Sequence, residues 1–227
     1  MFHFYSRLTL IPLLIFIAAL LLIHAQTHDD HELRQILLSD DCLAPCFMGI
    51  RPGVTTSKDA LTLLKTHSWI AAVNTTDGEK LDQIWWTWNQ NAPDILKSAP
   101  INPTFPVNGE VHSNSELVSS IRFRPNLTLG DIVLAMGLPP ASQFVFGGII
   151  LIPNQSVPAI ITLEYEKDGF WATGTAKCPY TADLWDIPAQ LTITNDFNGT
   201  SLGTVRPIDH ATFLDSIRRT SNLMCGL

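Results

Sequence analysis

A short motif that occurs twice constrains the fold of this chain more than any other feature of its sequence. Arg51-Pro-Gly-Val-Thr55 returns 73 residues later as Arg124-Pro-Asn-Leu-Thr128. Glycine and asparagine are the residues that best tolerate a left-handed backbone, so we expect Gly53 and Asn126 to form equivalent turns. The repetition predicts that one structural unit occurs twice in this chain.

Each copy of the motif leads into the pattern of a helix. Thr56 and Thr128 both precede an aspartate by three residues, which is the spacing of a helix capping box. The apolar spacing that follows predicts helices at about 57–66 and 129–136. For the first helix we expect four side chains to face the core, those of Ala60, Leu61, Leu63 and Leu64.

Strand patterns follow both helices. Apolar alternation between turn residues predicts strands at 69–73, 81–88, 115–124, 143–152, 159–166, 170–176 and 190–195. The four prolines in 91–109 predict a loop, and Asp209 is the expected cap of a final helix to about 220. In the strand at 115–124 the residues expected on one face are Leu117, Ser119, Ile121 and Phe123. The expected fold class is α+β, with two tandem helix-plus-antiparallel-sheet repeats at 42–123 and 124–227.

An uncharged apolar run from Leu8 to Ile23 precedes both repeats, with Arg7 before it. Such a run fits a signal peptide cleaved after Ala25, or an uncleaved membrane anchor. We therefore expect residues 1–25 to be a signal or an anchor rather than a buried core helix, and either would place the rest of the chain outside the cytoplasm. Residues 26–41 are expected to form a polar, solvated spacer with one or two amphipathic helical turns, since Leu33, Ile36 and Leu37 recur at helical spacing.

Beyond residue 25 the chain is acidic, with 13 basic and 21 acidic residues. An acidic chain without a Lys/Arg cluster lacks the positive surface that binds nucleic acid or an anionic membrane. We therefore expect no nucleic-acid partner, and membrane contact only through residues 8–25 if that segment is retained.

All four cysteines lie beyond the apolar run. An even number of cysteines in an exported chain favours disulfides, and four cysteines allow three connectivities. We predict that Cys42 pairs with Cys46 and that Cys178 pairs with Cys225. A zinc site is the alternative, but structural zinc usually takes two closely spaced pairs, so we expect no metal and no cofactor.

Two segments resemble a known family. Gly49-Ile-Arg-Pro-Gly-Val-Thr55 and Leu127-Thr-Leu-Gly-Asp-Ile-Val-Leu-Ala-Met-Gly-Leu-Pro139 resemble the repeat unit of the SmpA/OmlA (BamE-type) lipoproteins and the tandem-repeat β-lactamase-inhibitory proteins. The mature layout is also similar to exported proteins of Chloroflexota-type bacteria. The resemblance implies a helix pair packed on an antiparallel sheet in each repeat, and protein binding rather than catalysis. Gln26 stands where lipidation would need a cysteine, so a lipid anchor is not implied.

The sequence offers one candidate ligand surface, the cluster of Trp85, Trp86 and Trp88. Three aromatic rings are able to form a platform for a sugar, although packing in a half-buried strand is the explanation that we favour. No nucleophile elbow, zinc-protease motif or phosphate-binding loop is present. Glu164 and Glu166 have the spacing of one strand face and are the nearest approach to an acid–base pair.

We therefore expect a non-enzymatic, extracytoplasmic interaction module whose partner is an envelope or extracellular protein. The concave face of the sheet, or the seam between the repeats, is the expected contact surface. A carbohydrate-binding module and an extracellular hydrolase with a dispersed site are the alternatives from other functional classes.

Overall fold

The computed structural model describes residues 16–17, 31–37, 42–76, 81–97, 107–139, 141–146, 159–176 and 186–197. The chain divides into two units, Met1–Glu32 and Leu33–Leu227. Within the apolar run only Phe16 and Ile17 are described, so the predicted signal or anchor lies almost entirely outside the described residues. No helix among the described residues is long and apolar enough to cross a membrane. The predicted final helix at 209–220 also lies outside them.

An eight-stranded antiparallel sheet forms most of the described part of the second unit. Its strands are β1 (Ile70–Thr75), β2 (Gln83–Trp88), β3 (Gly109–Asn114), β4 (Leu117–Phe123), β5 (Ala141–Phe146), β6 (Ala159–Tyr165), β7 (Phe170–Ala176) and β8 (Gln190–Thr194). Their order in the sheet is β1-β2-β3-β4-β8-β7-β6-β5. Two four-stranded meanders therefore meet in the middle, where β4 pairs with β8. The fold is mostly β with few helices, in rough agreement with the α+β class.

Three α-helices are described, and they share one core with the sheet. They are α1 (His31–Leu37), α2 (Ser57–Thr66) and α3 (Leu129–Met136), and short 3₁₀ helices occur at Asp94–Leu96 and Glu166–Asp168. The bounds of α2 and α3 are those predicted from the sequence. The largest completely buried core side chain is Trp86, and others in the same cluster are Phe47, Leu64, Phe123, Ile132 and Phe170.

Threonine caps begin both α2 and α3, as the sequence predicts. Thr56 Oγ1 accepts from the Asp59 N–H at 3.2 Å, and Thr128 Oγ1 accepts from the Asp131 N–H at 3.1 Å. In the second cap the Asp131 carboxylate also accepts from the Thr128 N–H at 2.8 Å, which completes the capping box. The helix starts are therefore determined by local residues.

The start of each helix is also hydrogen-bonded to residues at, or just before, the beginning of the last strand of the following meander. In both cases the N–H of the first helical residue donates to a carbonyl just before that strand. The N–H of the residue two positions after this carbonyl donates to the carbonyl of the residue two positions before the helix. The bonds are Ser57 N to Glu116 O (2.8 Å), Val118 N to Thr55 O (2.9 Å), Leu129 N to Ile187 O (2.9 Å) and Ala189 N to Leu127 O (2.9 Å). We call these two matched pairs of hydrogen bonds the helix-start clamps.

The two turns before the helices differ, which corrects the prediction for Asn126. Gly53 has a φ of +78°, whereas Asn126 is not among the residues with positive φ. The Asn126 N–H instead donates to Ile95 O at 2.6 Å, a contact with the 3₁₀ helix of the first meander. A long-range hydrogen bond has replaced the left-handed turn that local propensity indicates.

Several predicted core positions are also wrong. Leu63 is 37% exposed on α2, although Ala60 and Leu64 are completely buried. In β4 the register shifts opposite His112 and Ser113, which leaves Ser119 as the extra residue of a β-bulge. Val118 therefore faces the core with Ile121 and Phe123, while Leu117 is 40% exposed.

The amphipathic turn expected within residues 26–41 is present, and residues 33–37 pack on the rest of the second unit. Leu33 and Leu37 of α1 are each only 3% exposed and belong to the core cluster. Arg34 Nε donates to the carbonyl of Ala135 in the last turn of α3 at 2.9 Å. An arginine at this position satisfies a helix-end carbonyl and complements the helix dipole.

Cys42 and Cys46 form a disulfide, while Cys178 and Cys225 lie outside the described residues. The disulfide is followed by a tight turn in which Phe47 and Ile50 exchange backbone hydrogen bonds of 3.0 and 2.9 Å. Met48 and Gly49 both have positive φ, as a two-residue type I′ turn requires. This turn inserts Phe47 into the core, where its ring stacks on Phe123 at 4.3 Å.

Candidate binding face of the sheet

Side chains alternate between the two faces of the sheet, and only one face carries the core. Ile84 and Trp86 in β2 are completely buried, whereas Trp85 between them is half-buried. The same alternation holds around Arg122 in β4 and around Trp171 in β7. We call the surface that carries these intervening residues the polar face.

A continuous row of side chains crosses the polar face. Strand register makes each member the direct neighbour of the next, through six adjacent strands from β2 to β6. The row is Trp85, Glu110, Arg122, Thr192, Trp171 and Glu164. At about 4.8 Å between strands, it extends roughly 24 Å and draws residues from both meanders. We call it the cross-sheet row.

An ion-pair cluster lies within this row. Arg122 Nη1 donates to Glu110 Oε1 at 2.8 Å, and His112 Nε2 lies 3.1 Å from the same oxygen. Gln83 Nε2 lies 3.3 Å from His112 Nδ1. Three neighbouring strands thus contribute to one connected polar cluster.

The cluster perturbs the ionisation of Glu110. Contact with His112 is the largest cause that lowers the pKa of Glu110 below its ordinary value, and Arg122 lowers it further. Burial acts in the opposite direction, because only 17% of the Glu110 side chain is exposed. Glu110 is therefore held as a carboxylate that positions Arg122, whose side chain is 38% exposed.

Beyond Arg122 the members of the row are buried or half-buried. Thr192 is 2% exposed between Arg122 and Trp171. Trp171 is half-buried, and the Phe197 ring meets it edge-to-face at 5.7 Å. Trp85 and Arg122, both half-buried, are the members of the row that we select as candidate contact residues.

The structure separates the three tryptophans named from the sequence. Trp86 is completely buried on the core face, and its ring meets that of Trp88 at 5.6 Å. Trp88 is on the core face too, near Phe47, so Trp85 alone lies on the polar face. The described geometry contains no three-ring platform at Trp85, Trp86 and Trp88.

Glu164 and Glu166 are not the pair that their spacing indicates. Strand β6 ends at Tyr165, so Glu164 remains on the polar face while Glu166 belongs to the 3₁₀ helix that follows. Over the described ranges, no three His, Cys, Asp or Glu side chains come together as a metal-binding group.

Sequence reasoning missed most of the row, namely Glu110, Arg122, Thr192 and Trp171. Their alternation with buried residues is visible in the sequence, as in Ile121-Arg122-Phe123. Nothing local, however, indicates that β4 pairs with β8, and this pairing brings Arg122 beside Thr192.

No family model, curated protein or solved structure matches this chain in the comparisons made.

Proposed function

We propose that this protein is a non-enzymatic extracytoplasmic module that binds an envelope or extracellular protein through the polar face of its sheet. The observation that carries the proposal is the cross-sheet row. Tryptophan and arginine are enriched at the energetic centres of protein interfaces, and Trp85 and Arg122 provide both within one row. Since Glu110 already holds Arg122, a partner meets a pre-positioned side chain at a lower entropic cost.

The proposal treats residues 42–123 and 124–227 as two tandem repeats, similar in arrangement to the SmpA/OmlA and β-lactamase-inhibitory modules. The helix-start clamps support this arrangement, because their donors and acceptors recur at spacings of 71 or 72 residues. Each clamp is beside the last strand of its meander, which is β4 in the first meander and β8 in the second. These two strands pair with each other. On this proposal the row forms only when both repeats are joined.

An extracytoplasmic location is part of the same proposal. The apolar run from Leu8 to Ile23 is typical of export, whether it is cleaved or retained. The Cys42–Cys46 disulfide adds support, because such bonds persist in oxidising compartments.

The test is capture of partners from the envelope fraction of the source cells, with purified domain as bait. Trp85→Ala and Arg122→Ala each remove one half-buried member of the row. Lys65→Ala, which changes an exposed residue of α2 away from the sheet, is the matched control. We expect the row variants to lose a captured protein that wild type and Lys65→Ala retain, with at least about a 30-fold loss of affinity if either residue is a hot spot.

Thermal melts of all four proteins establish whether lost capture reflects lost folding. Capture that survives both row substitutions contradicts the proposed surface. A glycan that binds wild type, but not Trp85→Ala, would favour the carbohydrate-binding alternative instead. Turnover of a hydrolase substrate by wild type would contradict the non-enzymatic function.

A further inference from the structure

Strand β1 lies at one end of the sheet, and β2 is its only partner among the described strands. Its sequence, Ile-Ala-Ala-Val-Asn-Thr, contains no charged residue and no proline, which are common protections of an edge strand against pairing with another chain. A bulge between Ile70 and Ala72 lies at its start, so residues 72–75 remain regular. Ala71, Ala72 and Asn74 are exposed. Strand β1 is therefore an accessible, uncharged sheet edge.

The direction of the backbone groups in β1 follows from the neighbouring strand. Trp86 lies opposite Val73, and its carbonyl accepts from the Asn108 N–H at 2.9 Å, on the side of β3. The N–H and C=O of one strand residue point to the same side, so Trp86 and Val73 form a non-hydrogen-bonded pair. The backbone groups of Val73 therefore point away from β2. Since the Thr76 N–H donates to β2 at 3.3 Å, those of Thr75 point to the open edge as well.

An edge of this kind recognises an extended polypeptide, because another strand presents donors and acceptors at the same spacing. If two β1 strands pair in antiparallel register, Val73 of one copy faces Thr75 of the other, and each such pair exchanges both of its hydrogen bonds. The two-fold axis then passes between the two copies of Asn74. A carboxamide both donates and accepts hydrogen bonds, so two facing asparagines are self-complementary. The absence of charge on β1 also allows two acidic chains to approach at this edge.

We propose that two copies of this chain associate through β1, in antiparallel register centred on Asn74, and form one continuous sheet. Asn74 is directly opposite Trp85 in the β1–β2 register, so it extends the cross-sheet row to the edge of the sheet. Association joins the rows of the two copies and places their Trp85 positions about 14 Å apart, over three strand spacings. Because each copy uses the same edge, the assembly closes as a dimer. The proposal is independent of the function proposed above.

Disulfide crosslinking of the full chain, produced in the source cells, tests the register. In a non-hydrogen-bonded pair the two Cα atoms are about 4.5 Å apart, a distance at which a disulfide forms, so Asn74→Cys should link the two copies. Ala72→Cys is the matched control, because this position is also exposed on β1 but would face Thr76 of the second copy. On non-reducing gels we expect a covalent dimer of Asn74→Cys, at a yield several-fold above those of Ala72→Cys and wild type. Wild type reports any linkage through the natural cysteines.

A proline at position 75 tests the backbone hydrogen bonds. Thr75→Pro, added to Asn74→Cys, removes an N–H that points to the open edge and takes no donor from the ladder with β2. Thr75→Ala in the same background keeps the N–H and is the control. We expect the proline variant to lose most of the covalent dimer and the alanine variant to retain it, with thermal melts to compare their folding.

Sedimentation equilibrium of the full chain in neutral detergent gives a second answer that does not depend on the fold of the proline variant. Asn74→Asp changes an exposed side chain and places like charges directly opposite each other, which is destabilising. We expect its dimer to dissociate at several-fold higher protein concentration than the wild-type dimer at pH 7.

A wild-type chain that stays monomeric, or that forms assemblies larger than a dimer, would overturn the proposal. Equal crosslinking at positions 74 and 72, or dimers unaffected by Asn74→Asp, would overturn it too. None of these outcomes decides whether Trp85→Ala and Arg122→Ala abolish capture of a protein partner, so this proposal and the proposed function fail separately.

Discussion

Phe47→Ala tests how the segment after the disulfide stabilises the domain. Phe47 is 1% exposed, stacks on Phe123 at 4.3 Å with the rings 15° apart, and meets Trp88 edge-to-face at 6.5 Å. Truncation of a buried phenylalanine costs about 3–5 kcal/mol, because apolar contacts are lost and a cavity remains. For a domain of this size that corresponds to a fall of roughly 6–20 °C in Tm.

The disulfide itself should matter less than the ring that it helps to position. Cys42 and Cys46 are separated by four positions, so their bond closes a short loop. In the chain-entropy model, a loop of this length contributes about 2 kcal/mol. We therefore expect Phe47→Ala to destabilise the domain more than the Cys42→Ser/Cys46→Ser double variant does.

Urea unfolding followed by tryptophan fluorescence measures both effects, with Leu43→Ala as the control. Leu43 lies in the same loop but is 75% exposed, so its truncation should change the free energy of unfolding by no more than about 0.5 kcal/mol. A cost below about 1 kcal/mol for Phe47→Ala would refute the reasoning, because it would mean that the ring is not an integral part of the core.

Two further predictions concern the sheet. Gly109→Ala should cost about 1–3 kcal/mol in urea unfolding, because its Cβ would overlap the buried ring of Trp86; an unchanged midpoint would exclude that contact. Glu110→Gln should be less stable than wild type at pH 7, and this difference should shrink as the pH falls below the ordinary carboxyl pKa and disappear below the lowered pKa of Glu110. Because the pKa of Glu110 is lowered in the folded protein, its carboxylate stabilises the fold above the ordinary carboxyl pKa, and this stabilisation is lost as the carboxylate is protonated. An equal difference in the free energy of unfolding between wild type and Glu110→Gln at pH 7 and at pH 3 would contradict this prediction.

Local chemistry explains which elements were predictable from the sequence. The starts of α2 and α3 depend on Thr56 and Thr128, whose caps involve residues only three positions away. Strand β7 was predicted with the bounds it has, since apolar alternation and the turn at Gly169 both mark it. In these segments the residues that determine the structure are close together in the chain.

The failures occur where distant residues determine the structure. Strand β3 was not predicted, and its first residue was placed in the loop expected at 91–109. The alternation is weak there because Val111 is the only large apolar residue that β3 contributes to the core. The bulge at Ser119 depends on the register with β3 and reverses the expected orientation of Leu117. Asn126 similarly exchanges a local turn for a hydrogen bond to Ile95.

The central pair of strands connects the core to the candidate binding face. Phe123 and Leu191 are completely buried and directly opposite each other in the β4–β8 register, and the neighbouring pair, Arg122 and Thr192, lies on the polar face. Since consecutive residues of a strand share one backbone but point to opposite faces, the packing that fixes Phe123 also fixes the direction of Arg122. Phe47 stacks on Phe123, so the disulfide segment supports the same strand from the core side. A binding surface on a strand that is packed in this way needs little reorganisation when a partner binds. Its specificity would then come from the fixed positions of its side chains rather than from conformational change on binding.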